Sequence, residues 1–134
     1  GYESIHQKKL KNFSIISFET KGDQKISRNL TKNFSKLQNN KEAKKYYEII
    51  TNSNIEKKIK LKDSKGNIEN YSLKININLT LKENNKIVYE KNFSEEINYS
   101  NIKNKFELKQ YEKIIIDNQT KKIIDKINIF LNSL

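Results

Sequence analysis

The sequence predicts an α+β fold, in which a four-stranded, mostly antiparallel β-sheet is covered on one face by two helices. Three observations support this prediction. Residues 71–81 alternate strictly between apolar and polar side chains, as expected of a strand with one buried and one solvated face. Two amphipathic stretches, in residues 26–37 and at the C-terminus, provide helices for the buried face. The element order β-α-β-β-β-α is then that of a two-layer sandwich.

The first strand and the first helix are predicted near the N-terminus, after a polar and extended lead-in of residues 1–11. The apolar segment Phe13–Phe18 ends before the turn signal Lys21-Gly22-Asp23, which is typical of a strand, although its apolar residues fill both faces. Asp23 is a residue type that caps helix N-termini. A helix packed on one side is indicated by an apolar stripe at spacings of three and four residues. The stripe consists of Ile26, Leu30, Phe34 and Leu37, and Asn39-Asn40 ends the helix.

Three further strands are predicted to form an antiparallel meander. From Tyr47 to Leu61 the odd positions are mostly apolar or small, which indicates a long second strand with a bulge near Ser53. Residues 63–67 form a turn, because Gly66 suits a positive φ. Asn84-Asn85 predicts a tight hairpin between the strand of residues 71–81 and a fourth strand, since asparagine tolerates the left-handed region. The fourth strand is marked by Ile87, Tyr89 and Phe93.

The chain closes with a long amphipathic helix. Asn104 followed by Glu107 resembles a capping box at its start. Roughly 30 residues would span about 45 Å, enough to cross a sheet, although the polar residues 117–120 are expected to kink or break the helix. No internal repeat or linker is visible, so residues 1–134 are expected to form one domain. The apolar stripe of the helix consists of Leu108, Tyr111, Ile115, Ile116, Ile123, Ile127, Leu131 and Leu134.

The composition is strongly basic and poor in apolar residues. The net charge is +11 and 34% of the residues are hydrophobic, so the core must be thin. Residues 1–67 carry 16 basic and 7 acidic groups, and residues 68–134 carry 11 and 9. The basic first half predicts an anionic partner, such as nucleic acid, phospholipid headgroups or a phosphorylated glycolipid. Half of the residues are Lys, Ile or Asn, so an AT-rich genome is the alternative explanation, and the sequence leaves both open.

The residue types that most enzymes need are missing or isolated, so we expect no enzyme. There is no Cys, which excludes disulfides and thiol catalysis. The one histidine, His6, lies in the polar lead-in, where a catalytic imidazole would lack an orienting partner. The three glycines stand alone, so there is no glycine-rich phosphate loop. Glu95 and Glu96 are adjacent on a strand, point to opposite faces and are best explained as a solvated strand end.

A row of lysines is the candidate binding surface. Lys58, Lys60 and Lys62 alternate along the second strand, with Lys74 and Lys82 on the third and Lys65 in the turn between them. Side chains two residues apart on one face lie roughly 7 Å apart and can engage separate phosphates. The alternative is an open sheet face that lysines keep soluble and free of edge-to-edge pairing.

A nucleic-acid partner is the competing hypothesis. Single-strand binders place aromatic side chains on the exposed face of the sheet to stack bases. Tyr47 and Tyr71 fall on the apolar register of their strands and are predicted to be buried, whereas Tyr46 projects outward. We therefore expect no nucleic acid on this face, and a basic nucleic-acid-binding α+β domain remains only as the alternative.

The chain as a whole resembles the LptE (RlpB) family of lipopolysaccharide-assembly lipoproteins from Gram-negative bacteria. Mature members begin with a lipidated Cys followed by Gly and an aromatic residue, and Gly1-Tyr2 resembles that start with the Cys removed. The chain begins at Gly1 rather than Met, so we expect a processed protein. The turn at Gly22-Asp23 and the segment Tyr99-Ser100, which leads into a charged helix ending in Ile and Leu, resemble the family as well.

The resemblance implies a binding protein without catalytic residues, cofactor or metal. Family members are held by an N-terminal lipid anchor at the periplasmic face of the outer membrane. They sit as a plug inside the LptD β-barrel and assist lipopolysaccharide export, binding lipopolysaccharide through basic residues on the sheet side. In this sequence the resemblance assigns lipopolysaccharide binding to Lys58, Lys60, Lys62, Lys65 and Lys74.

Overall fold

The predicted fold class is confirmed by the structure, a computed structural model that describes residues 12–134. The lead-in of residues 1–11, with Gly1-Tyr2 and His6, lies outside the described residues. The elements are β1 (Phe13–Gly22), α1 (Gln24–Ser35), β2 (Lys45–Lys62), β3 (Ile68–Glu83), β4 (Lys86–Ser100) and α2 (Lys105–Asn132). Each strand extends beyond its apolar segment, because backbone pairing continues where the side chains have become polar.

The strands lie side by side in the order in which they occur in the chain. β1 runs parallel to β2, and β2, β3 and β4 form the predicted antiparallel meander. Asn84 and Asn85 both have positive φ, as required at the centre of a type I′ hairpin turn. In the turn between β2 and β3, Gly66 has a φ of 86°, and the Asp63 carboxylate accepts hydrogen bonds from the backbone N–H groups of Lys65 and Asn67.

β1 uses an extra residue to turn its apolar side chains to one face. Ile15 pairs with Tyr47 and Ser17 pairs with Glu48, so Ile16 has no partner on β2. Such a bulge reverses the alternation of side chains along the strand. Phe18 therefore lies on the same face as Ile15, where its ring contacts Phe34 of α1 at a centroid distance of 5.8 Å. The bulge therefore explains why the apolar residues of Phe13–Phe18 would fill both faces of a regular strand.

The bulge predicted near Ser53 is wrong. Pairing between β2 and β3 is regular from Glu48 to Ile59 and shifts at Lys60 and again between Leu61 and Lys62. Ser53 is buried because the connection from β1 to α1 lies against it. Its position requires a small side chain for the same reason. The backbone N–H of Asp23 donates to the Ser53 carbonyl at 3.1 Å, and a Cβ on Gly22 would meet the same oxygen at 2.0 Å.

The first helix begins as the sequence predicts. The Asp23 side chain caps α1 by accepting from the N–H of Ile26 at 2.9 Å. Ile26, Leu30 and Phe34 are fully buried under this helix. The helix ends at Ser35, so Leu37 packs on the core from outside it, while its carbonyl accepts from the Ile15 N–H at 3.0 Å.

Both helices cover the same face of the sheet. Leu73, Ile75, Ile77, Leu79 and Leu81 of β3 are almost fully buried beneath them, which confirms the face predicted from the alternation. α2 is continuous through residues 117–120, so the expected break does not occur. Its 28 residues span about 42 Å. Neither helix in the described part of the chain has the length and apolar character needed to cross a membrane.

Candidate functional site

The face of the sheet opposite the helices carries ordered rows of polar side chains. We call it the open face, and it consists of the even-numbered residues 72–80 of β3 with their register partners on β2 and β4. Cross-strand partners on one face have Cβ atoms about 5 Å apart. The rows are Lys58–Ser72–Asn98, Glu56–Lys74–Glu96, Asn54–Asn76–Ser94, Asn52–Asn78–Asn92 and Ile50–Thr80–Glu90, in which Ile50 is the one apolar residue.

Three of the five predicted lysines come together around one carboxylate. Lys74 lies directly opposite Glu96 on β4. Lys58 lies in the next row, and Lys60 is the extra residue of the β2 bulge. The hydrogen bond from the Ser72 hydroxyl, at 2.7 Å, is the largest cause that lowers the pKa of Glu96, followed by the charges of these three lysines. We call Lys58, Lys60 and Lys74 the lysine cluster.

The other two predicted lysines lie beyond this cluster. Lys62 is the last residue of β2, where it pairs with Ile68, and Lys65 is an exposed residue of the following turn. Neither is among the groups that affect the pKa of Glu96. Both are exposed positive charges near the tip of the β2–β3 hairpin.

The adjacent residues Glu95 and Glu96 make different contacts, and neither lies at the end of β4. Glu96 faces the lysine cluster, while Glu95 faces α2 and forms an ion pair of 2.8 Å with Lys126. The prediction that they point to opposite faces is confirmed. Their assignment to a solvated strand end is wrong, because β4 continues to Ser100. Sequence reasoning missed Glu96 because its position opposite Lys74 follows from the register of β3 and β4, which no single segment reveals.

A polar network on the covered side holds α2 against the same end of the sheet. Lys57 forms an ion pair of 2.8 Å with Glu112 of α2 and lies 4.2 Å from the ring centroid of Tyr71. Tyr71 stacks on Tyr99 at a centroid distance of 5.7 Å. The Tyr99 hydroxyl donates to Glu112, and burial followed by this hydrogen bond raises the pKa of Tyr99. The network holds α2 on the covered face, so that both helices of residues 12–134 lie on the same side of the sheet.

The tyrosines lie where the apolar register predicts. Tyr47 is buried, and burial raises its pKa, while Tyr71 is half-buried. Tyr46 is 48% exposed. At open-face positions of β2, β3 and β4, Tyr46 is the one aromatic residue in the described part of the chain, so this face offers no series of stacking platforms.

Several solved structures share this architecture. Rare lipoprotein B from Shewanella oneidensis has a TM-score of 0.67 and 10% sequence identity, with 87% of this chain and 94% of that chain covered. A candidate lipoprotein from Caulobacter crescentus has a TM-score of 0.59 and 11% identity, with coverages of 95% and 92%. Uncharacterized lipoprotein B from Nitrosomonas europaea has a TM-score of 0.58 and 13% identity, with coverages of 89% and 83%.

These similarities are visible in the fold and not in the sequence. Neither protein-family models nor curated protein sequences give a match to the chain. At such low identities the shared property is the arrangement of the strands and helices, which is similar over nearly the whole length of each neighbour. The chain therefore has the fold of rare lipoprotein B, the LptE-like (RlpB) fold that the sequence resemblance predicts.

Proposed function

We propose that the chain is a non-enzymatic binding and assembly factor for lipopolysaccharide export. In this proposal residues 1–134 act as one domain, which is held by an N-terminal lipid anchor at the periplasmic face of the outer membrane. Its protein partner is an LptD-type β-barrel, in which it serves as a plug. The LptE-like fold supports this assignment, and the open face supplies the ligand site.

The observation that carries the proposal is the convergence of Lys58, Lys60 and Lys74 on the sheet face that neither helix of residues 12–134 covers. Lipid A carries phosphates, and a phosphate has more negative charge than a carboxylate and accepts several charge-assisted hydrogen bonds. A phosphate can therefore compete with Glu96 for these three ammonium groups. Lys62 and Lys65 provide further positive charge for a ligand that extends toward the hairpin tip.

Charge reversal tests the ligand. The variant K58E/K60E/K62E is expected to bind lipopolysaccharide about tenfold more weakly or worse, since repulsion replaces attraction at a cost of at least about 1.4 kcal/mol. The matched control is K109E/K113E/K121E, which changes the same net charge at exposed positions of α2. Equal affinities of the two variants, with native circular dichroism spectra, would refute the lysine site.

Co-purification tests the partner. Affinity-tagged protein, expressed in the source organism and extracted in a mild detergent, is expected to retain a large outer-membrane β-barrel protein. Mass spectrometry identifies the retained protein. Absence of a barrel protein from repeated gentle preparations would contradict the plug role and would leave lipopolysaccharide binding to be decided by the charge-reversal variants.

No described feature of the open face favours the nucleic-acid alternative. Binding to single strands relies on exposed aromatic side chains together with positive charge. At open-face positions of β2, β3 and β4, the described residues include one aromatic side chain, that of Tyr46, so the stacking contribution is missing.

A further inference from the structure

Next to the lysine cluster the open face contains an uncharged area of asparagine side chains. We define the asparagine strip as the five asparagines in two consecutive rows across β2, β3 and β4. Ser94 completes one of the two rows. The strip consists of Asn52, Asn54, Asn76, Asn78 and Asn92.

The strip retains both donors and acceptors for a ligand. The Asn76 amide donates to the Asn54 carbonyl oxygen at 3.0 Å, and the Asn92 amide donates to the Asn78 carbonyl oxygen. Each amide group has two N–H donors and an oxygen with two acceptor sites, so every member of these pairs keeps unused positions. Neighbouring strands lie about 4.8 Å apart, and successive rows lie about 7 Å apart along the strands. The result is an array of amide groups that offers both donors and acceptors to a ligand.

The charges around the strip define the kind of ligand that fits. Lys74, between Glu56 and Glu96, borders the strip at one end, and Lys21 of β1 lies beside Asn52. The strip itself has no ionisable group. At the other end the strip is bordered by the row Ile50–Thr80–Glu90. A phosphate would gain little on the strip, and within it a protein partner would find none of the apolar side chains that form the centre of an interface. Hydroxyl groups both donate and accept hydrogen bonds without a charge, which matches what the asparagines offer.

We propose that the asparagine strip binds the uncharged sugar residues of a ligand whose anionic groups are held by the adjacent lysine cluster. This inference rests on the proposed function, because it assigns a second subsite on the same face. The lysine cluster supplies most of the affinity through charge, and the strip selects ligands that carry a saccharide beyond their phosphates.

The test compares two ligands on vesicles of phosphatidylcholine, one set containing lipopolysaccharide with its full oligosaccharide and the other containing lipid A alone. Surface plasmon resonance measures the affinity of the wild-type protein, of N52A/N78A and of the control N12A/N118A, whose positions are exposed and lie off the strip. We expect the wild type and the control to bind the sugar-bearing ligand about tenfold more tightly than lipid A, equivalent to about 1.4 kcal/mol. We expect N52A/N78A to lose this preference and to keep its affinity for lipid A.

Each other outcome contradicts the inference in a recognisable way. A wild type without preference, or an N52A/N78A variant that retains it, would overturn the sugar subsite and leave the lysine site in place. A wild type that binds neither ligand would overturn both the subsite and the proposed function. If N52A/N78A does not fold, N52Q/N78Q takes its place, because it displaces the amides by one methylene group and is expected to reduce the same preference.

Discussion

Asn33 of α1 and Asn128 of α2 exchange two side-chain hydrogen bonds, of 2.9 and 3.0 Å. The two residues are half-buried and 95 positions apart in the chain. This reciprocal amide pair joins the two helices of the covering layer, together with an ion pair of 3.4 Å between Lys25 of α1 and Asp117 of α2. It connects the first third of the chain to its last turns.

The amide pair predicts a measurable coupling between the helices. N33A and N128A should each destabilise the protein, and a double-mutant cycle should give an interaction energy of about 1 kcal/mol, since a hydrogen bond contributes about 0.5–1.5 kcal/mol net. Urea unfolding measures the four free energies. The control cycle pairs N33A with N118A, at an exposed position of α2, and should show no coupling. A coupling near zero for both cycles would show that the pair does not hold the helices together.

Gly22 is predicted to be intolerant of any side chain. It has a φ of 99°, and an added Cβ would lie 2.0 Å from the Ser53 carbonyl oxygen. G22A should therefore lower the free energy of unfolding by about 3 kcal/mol or more, because left-handed strain and overpacking each cost about 1–3 kcal/mol. G66A is the matched control, since it has a positive φ of 86° but nothing within 4 Å, and it should cost about 1 kcal/mol. Equal costs for the two variants would contradict the close approach at Ser53.

Thr51 is expected to be a site where the protein can be stabilised. Its side chain is fully buried, and its hydroxyl oxygen has no hydrogen-bond partner among residues 12–134. A buried polar group without a partner costs about 1–3 kcal/mol, so T51V should raise the urea midpoint. T80V, at a half-buried position of the open face, should give no comparable gain. Destabilisation by T51V would show that the hydroxyl group makes a hydrogen bond after all.

Ser72 is predicted to control the ionisation of Glu96. Because its hydroxyl group is the largest cause of the lowered pKa of Glu96, S72A should raise that pKa toward the ordinary value. NMR titration of the side-chain carboxyl carbon measures the shift. S94A, at a neighbouring open-face position on β4, is the control and should leave the pKa unchanged. A pKa of Glu96 that is the same in wild type and S72A would contradict the assigned hydrogen bond.

The sign of the pH effect follows from the direction of this shift. A carboxyl group with a lowered folded-state pKa stabilises the protein above its unfolded pKa, and this contribution is lost as the pH falls through the folded value. Wild type should therefore lose more stability than S72A on acidification through the range in which glutamate ordinarily titrates. The difference is small, because Glu96 is exposed and solvent screens its charge interactions.

Features of the fold that depend on residues close together in the chain could be predicted from the sequence. The alternation of residues 71–81 gave the buried face of β3 correctly, and Asp23 and Asn104 cap the helices as expected, each accepting from a backbone N–H three residues on. The Asn84-Asn85 turn was equally recognisable, because its requirement for positive φ limits the choice of residues. These features depend on neighbours within a few positions of the chain.

The features that the sequence did not reveal depend on pairing between distant segments. From the sequence, Ile16 resembles a buried strand residue. In the structure it has no partner on β2, because it is the bulged residue of β1, and it is 60% exposed. The bulge at Lys60 likewise follows from how β2 fits β3. The placement of Glu96 among the lysines needs the correct register of three strands, so the sequence alone predicts a more positive site than the structure contains.

Site-specific photo-crosslinking tests the central claim, that the open face receives the ligand while the helices occupy the other. A photoreactive residue replaces Asn98, which is exposed in the row of Lys58 and Ser72, or Asn118, which is exposed on α2. After irradiation with lipopolysaccharide, we expect a crosslinked product from position 98 and none from position 118. Crosslinking from position 118 with none from position 98 would contradict it.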